Sequence, residues 1–225
     1  MTHYRIEPLS TAADPKLLAE LERIETATIG HMRHTGFMRR TIQALDPDQP
    51  TRAGLAVTLA IPGFCSTLVH YAVSKIRPGD ILVIDRLGDD RHACVGGAVA
   101  RAAKMAGAVG IVVDGPVTDR VEILAEGLPV WCSGISPITT RRANQGGTFN
   151  RPISCGNVPV LPGDIVVADA SGVVVLPADE AEQTAREAAA RELRVARTMA
   201  RLQAGEKLGD ITGVVQQIEN LSAKD

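Results

Sequence analysis

The stretch DRLGDDRHACVGGAVARAAKMAGAVGIVVDGPVTD, residues 85–119, decides the fold. It opens where one apolar run, Ile81 to Ile84, ends, and closes just past a second, Val109 to Val113. Between the two runs sit Gly96 and Gly97, then an Ala-rich segment, Ala98 to Ala106, closed by Gly107. Glycine just past a helix suits the left-handed carboxyl-terminal cap, because it has no Cβ to clash. The pattern predicts strand, loop, helix and strand: a βαβ unit with a parallel, right-handed crossover.

Two features fall at one end of that unit. The helix amino terminus at Gly96, Gly97, Ala98 and Val99 offers unpaired N–H groups and the positive end of the helix dipole, a seat for a carboxylate or phosphate. The second strand is expected to end at the same edge, with Asp114 to Asp119 as a loop beyond it. Ligands of open α/β sheets bind outside the carboxyl ends of the strands, so an anion seat would face a loop with two carboxylates.

Outward from this unit the chain reads as a single α/β domain of 225 residues, long enough to bury a sizeable core. Pro15 to about Met38 has helical spacing at Leu17, Leu18, Leu21 and Ile24, with Asp14 as the cap. Gly54 to Ile61 reads as a strand and Ser66 to Lys75 as a helix carrying His70, taken as structural. Val121 to Glu126 is a short helix, Leu128 to Cys132 a strand, and Thr139 to Gly147 a surface loop. Pro152 to Val160 reads as extended, and β-branched arms at Ile165–Ala168 and Val173–Leu176 make a hairpin. Asp179 to about Gln203 is a long helix with a small-residue stripe, followed by a tail in which Ile211, Val214, Val215 and Ile218 are spaced to pack once more.

A net charge of −2 gives no pull toward nucleic acid, and no apolar run approaches a membrane span. Cys65, Cys94, Cys132 and Cys155 form no CxxC pair and read as reduced, buried residues of a cytoplasmic protein. The basic residues Arg33, Arg39 and Arg40 read as a solvated face.

The series GDILVID (79–85), Gly-Gly before an Ala-rich helix, GIVVDGPVTD (110–119), LPVW (128–131) and PGDIVVADASGVVVLP (162–177) resembles one family over about residues 25–190. It is the family of the regulator of ribonuclease activity A and the class II aldolase that cleaves 4-hydroxy-4-methyl-2-oxoglutarate. Its members often bear a methyltransferase label, which nothing in these motifs supports. The resemblance implies a compact β/β/α fold related to the swivelling phosphohistidine domain, with a central βαβ unit and a C-terminal helix, assembled as a homotrimer or homohexamer. It implies a lyase for small 2-oxo acids, or a non-catalytic regulator that binds a protein. The aldolase pattern makes Gly96, Gly97, Ala98 and Val99 the seat of the substrate carboxylate. It makes Asp119 the ligand of a divalent cation, Mg2+ or Mn2+, held largely through water. The family's keto-polarising Arg falls on Thr118, a departure that replaces a charged fork with one neutral hydroxyl. Arg120 next door is expected to point elsewhere. Cys65-Ser66 stands where members often carry Asp-Asn. His92, ahead of the helix, also resembles the phosphohistidine position of phosphoenolpyruvate-using enzymes. No nucleotide-binding domain is attached, and the residue reads as part of the rim of the site.

Overall fold

Strand β3 (Arg52–Ala60) is the junction of the sheet, because three strands pair with it. The computed structural model describes residues 4–9 and 11–223. Along one edge of β3 runs β4 (Asp80–Asp85), parallel, with Leu55 facing Asp80 and Ala60 facing Asp85. Along the other edge β10 (Ile165–Asp169) pairs antiparallel with the first half of β3, and β7 (Gly147–Phe149) pairs antiparallel with its end. Beyond β4 come β5 (Gly110–Val117) and β6 (Val130–Ile135), both parallel, then the short β2 (Gln43–Ala44), antiparallel to β6. β1 (Tyr4–Ile6) lies parallel to β7, and β11 (Gly172–Leu176) pairs antiparallel with β10.

Strands β3, β4 and β5 are nearly continuous apolar runs because both faces of the sheet are covered. On one face Leu82, Ile84, Ile111 and Val113 pack against α3 (Thr67–Val73), α4 (Gly97–Met105) and α5 (Arg120–Glu126) through Val69, Ala72, Ala100, Ala103 and Ile123. On the other, Ile81, Val83 and Val112 meet Ile153, Val158 and Val160 of a hairpin, β8 (Ile153–Cys155) and β9 (Val158–Val160), together with Val166, Val173 and Val175. Each of these branched side chains contributes about 1.5–3 kcal/mol by leaving water. Helices on one face and strands on the other make the expected β/β/α arrangement, with the predicted βαβ unit at its centre.

Trp131 sits in the second cluster, fully buried, and its indole N–H donates to the main-chain oxygen of Asp169 at 2.7 Å. The Asp169 carboxylate is buried too, and accepts from the N–H and hydroxyl of Thr26, each at 2.7 Å, and from Ser171 N–H at 2.8 Å. A buried carboxylate is tolerable when its lone pairs are filled in this way.

Three expectations are corrected. The helical stretch from Pro15 breaks into α1 (Pro15–Leu21) and α2 (Thr26–Gly30), because Thr26 is taken by Asp169 and Phe37 bridges to Val174 as extended chain. The extended run 152–160 is a hairpin, turning at Gly156 and Asn157, whose φ values of 58° and 64° give the paired left-handed residues that a tight hairpin turn needs. The strand after the central helix does not stop at Val113. It continues to Val117 through a one-residue bulge between Val113 and Pro116, where a proline is tolerated within a sheet.

The four cysteines are free and buried. His70 lies on the exposed side of α3. No helix among the described residues is long and apolar enough to cross a membrane.

The chain divides into two units, Met1–Ala185 and Arg186–Asp225. The helix α6 (Ala181–Gln203) begins in the first, where Ala181 and Ala185 are buried, so its first turn packs into the core. The second unit holds the rest of α6, then α7 (Leu208–Thr212) and α8 (Val214–Ser222). Val214, Val215 and Ile218, expected to pack, are exposed along one side of α8.

Candidate functional site

The seat at the start of α4 is shaped by contact with the start of α5. Gly96 has ordinary extended backbone, so glycine is required there by space rather than by conformation. A Cβ at Gly96 would come within 2.4 Å of Asp119 Oδ2 and 2.9 Å of Thr118 Cγ2, and one at Gly97 within 2.6 Å of the Glu122 Cβ. The two segments are stitched together by Thr118 N–H, which donates to the Val95 oxygen at 2.9 Å. Asp119 adopts the left-handed region, φ 51° and ψ 45°, as the cap residue of α5. That turn is one Asp tolerates better than most residues.

The turn swings the Asp119 carboxylate back over α4. Its Oδ2 accepts from Gly97 N–H at 3.2 Å and its Oδ1 from the Thr118 hydroxyl at 3.2 Å. The acceptor of the first free N–H of α4 is thus the protein's own carboxylate, at the positive end of the dipole. Ala98 and Val99 complete the first turn, and Gly96 supplies no side-chain cap. All the residues assigned to the site from sequence therefore converge, with Gly96, Gly97, Ala98, Val99, Thr118 and Asp119 within one helix start and its neighbour.

Asp114 does not join them. It points to the other face of the sheet, where it pairs with the Arg39 guanidinium and accepts from Gly156 N–H at 2.8 Å. The expected pair of facing carboxylates is corrected to one, because Asp114 lies within β5 rather than in a loop beyond it. Arg39 and Arg33 are likewise not merely solvated: Arg33 pairs with Glu180 at 2.6 Å. Arg120 points away as expected, donating to the Leu45 oxygen at 3.2 Å.

A cleft of about 470 Å³ opens from this edge between α4 and α5, lined by Gly97, Ala98, Arg101, Asp119, Glu122 and Glu126 among others. Sequence reasoning missed Arg101, Glu122 and Glu126. The signal was there in spacing, since Arg101 stands one turn beyond Gly97, and Glu122 and Glu126 stand one and two turns beyond Asp119. His92 is held elsewhere on the connecting loop, its Nδ1 at 2.8 Å from Asp89 Oδ2. Partial burial works to raise the Asp89 pKa, but hydrogen bonds from the N–H groups of Arg91 and His92 and from the His92 ring hold it below the usual carboxylate range. Arg86, fully buried, ties the same loop through Gly63, Asp89 and His92.

For a cation, the donor set is sparse. Among the described residues no group of three or more His, Cys, Asp or Glu side chains is placed to hold a metal ion. The Asp119 carboxylate, with about four lone-pair sites of which these hydrogen bonds use two, remains able to accept one. This fits a hard cation that keeps most of its water and takes one carboxylate from the protein, and it does not fit a closed protein cage.

The chain belongs to the aldolase/RraA family, whose model matches residues 21–175. A protein of Halalkalibacterium halodurans, provisionally named as a 4-hydroxy-4-methyl-2-oxoglutarate aldolase, is 36% identical over 148 residues, 66% of this chain and 70% of its own length. A Thermus thermophilus protein named as the same aldolase is 32% identical over 113 residues, 50% of this chain and 68% of its own. Among solved structures, RraAS2 of Streptomyces coelicolor, described as an unusual member of the RNase ES inhibitor RraA family, superposes with a TM-score of 0.75 at 29% identity, covering 84% of this chain and 98% of that one. The fold expectation and the family resemblance both hold.

Proposed function

We propose that this chain is a divalent-cation-dependent carbon–carbon lyase for small 2-oxo acids, cleaving 4-hydroxy-2-oxo acids to release pyruvate, decarboxylating oxaloacetate, or both. The observation that carries the reading is Asp119, an exposed carboxylate fixed over the first turn of α4 at the mouth of a cleft that admits a small organic acid. Asp119 would hold Mg2+ or Mn2+ with water in the remaining positions, and the bound ion supplies a Lewis acid for the enolate that both reactions generate. The rest is done by the chain. Gly96 and Gly97 let Thr118, Asp119 and Glu122 close against the helix start, while the first-turn N–H groups of Ala98 and Val99 present partial positive charge to a carboxylate. The Thr118 hydroxyl, which now donates to Asp119 Oδ1 at 3.2 Å, would turn to a substrate oxygen, one neutral donor where a guanidinium would give two charged ones. That substitution withholds several kcal/mol of charge stabilisation unless another cation supplies it.

The test is a screen of the purified chain with oxaloacetate and 4-hydroxy-2-oxo acids, with Mg2+ or Mn2+ and then with chelator. Release of pyruvate that depends on the ion is expected. Absence of turnover with every substrate and ion overturns the reading. It would move weight to the second one, a protein-binding regulator, which Thr118 and the likeness to the ribonuclease inhibitor favour. A homotrimer or homohexamer is part of the same proposal, and light scattering that gave a stable monomer at micromolar concentration would remove it.

A further inference from the structure

We propose that Arg101, which lines the cleft between α4 and α5, binds the carboxylate of the 2-oxo acid and so completes a carboxylate seat whose first N–H is already taken. The inference rests on the lyase reading of this cleft. Its starting point is that Gly97 N–H, the first donor of the seat, is already engaged by Asp119 Oδ2 at 3.2 Å. An incoming carboxylate therefore meets a seat partly filled by a like charge. Among the residues lining the cleft, Arg101 is the cation.

Its position suits the task. Arg101 follows Gly97 by one helical turn, about 6 Å along the axis. Its guanidinium now lies beside Glu126, at the opposite end of α5 from Asp119, and a change of rotamer about the long side chain carries it back toward the seat. Its present partner is Glu126, with Nε donating to Oε1 at 2.8 Å and Nη2 at 2.6 Å from the same oxygen. The Arg101 side chain is 68% exposed against 16% for that of Glu126, so the cation is the member of the pair with room to move. Glu126 is not stranded by the exchange, because the Lys104 ammonium stays beside it, bonded to its main-chain oxygen. A planar fork matches a carboxylate with two parallel hydrogen bonds, which neither Thr118 nor Lys104 can offer. Met105 and Ala102 beyond Arg101 make the far wall apolar, suited to the carbon chain of the acid rather than to a second charge.

The test uses oxalate, an unreactive mimic of the enolate, titrated calorimetrically into the full chain with Mg2+ present. Arg101→Met should weaken binding about tenfold or more, the loss of a charged hydrogen-bonded fork. Glu126→Gln should act in the opposite direction, tightening binding by up to about fivefold, because it releases Arg101 from its competitor. A purely structural pair would give losses of the same sign for both variants, or none. Unchanged affinity in both, or weakening in both, overturns the proposal while leaving lyase activity of the parent intact. If oxalate fails to bind the parent at all, the proposal falls together with the lyase site.

Discussion

Asp114 lies within β5 and Asp119 two residues past its end, and the two are embedded differently. Asp114 is mostly buried and locked by Arg39 and by the N–H of Gly156, so it clamps the β8–β9 turn to the sheet. Asp119 is exposed, makes two bonds of 3.2 Å, and sits on a left-handed residue beside an open cleft. The contrast separates a mostly buried carboxylate neutralised by a guanidinium from an exposed one held by neutral donors alone. Residue type and number of partners are the same; what differs is burial and the charge of one partner, a guanidinium for Asp114 and a hydroxyl for Asp119.

The largest effect should come from Asp119→Asn. It keeps the shape and removes the charge, so ion-dependent turnover should fall by at least about a hundredfold, with stability unchanged within about 0.5 kcal/mol. Full turnover in that variant, measured with saturating Mg2+, would erase the distinction between the two carboxylates. Next, Thr118→Arg places a guanidinium beside Asp119 and should raise pyruvate release by about tenfold or more if the missing charge limits the rate. A drop in its rate would show that the hydroxyl is adapted to a different substrate. Asp114→Ala should behave in the reverse sense to Asp119→Asn. It should cost about 1–3 kcal/mol in denaturant melts, by leaving Gly156 N–H and Arg39 without their acceptor.

The smallest effect concerns Asp85, which faces Asp114 across the β4–β5 pairing. Burial, reinforced by the Asp114 charge and opposed by the N–H of Leu87, pushes its carboxyl pKa up. A raised native value means that the folded chain holds this proton more tightly than the unfolded one. The stability so gained is complete below the ordinary carboxylate range of about 4 and is lost as pH rises through the raised value. Relative to the parent, Asp85→Asn should therefore gain stability as pH rises from about 4 toward neutrality. A difference that stays flat across that range would show that Asp85 carries no such strain.

Much of this was legible because the central unit obeys local rules. The apolar runs, the Gly-Gly start and the Gly107 stop place β4, α4 and β5 to within a residue or so, until β5 runs on past Val113. Asp114 was misplaced because Asp-Gly-Pro has turn chemistry, whereas a bulge allowed the strand to continue and aimed the side chain at Arg39, a residue 75 positions away. Nothing local encodes that pairing. The expected single helix from Pro15 to about Met38 broke for the same reason, with only Thr26–Gly30 helical past Leu21: continuous helical spacing lost to a long-range acceptor, Asp169, for Thr26. Glu122, Glu126 and Arg101 required knowing that α4 and α5 lie side by side, which periodicity within either helix does not reveal. The tail failed differently, since the spacing of Val214, Val215 and Ile218 does form a helix face, and a face does not name its partner.

The position of Trp131 has a practical corollary. It is the chain's single tryptophan, so intrinsic emission has one origin. That indole is sealed in the strand layer opposite α4 and α5 and tethered to Asp169, which in turn holds Thr26. A spectrometer following this fluorophore reads the joining of β6, β10 and α2 as one event. It is blind to a small acid entering the cleft on the far face of the sheet, so a calorimeter or an extrinsic dye near Met105 has to report that instead.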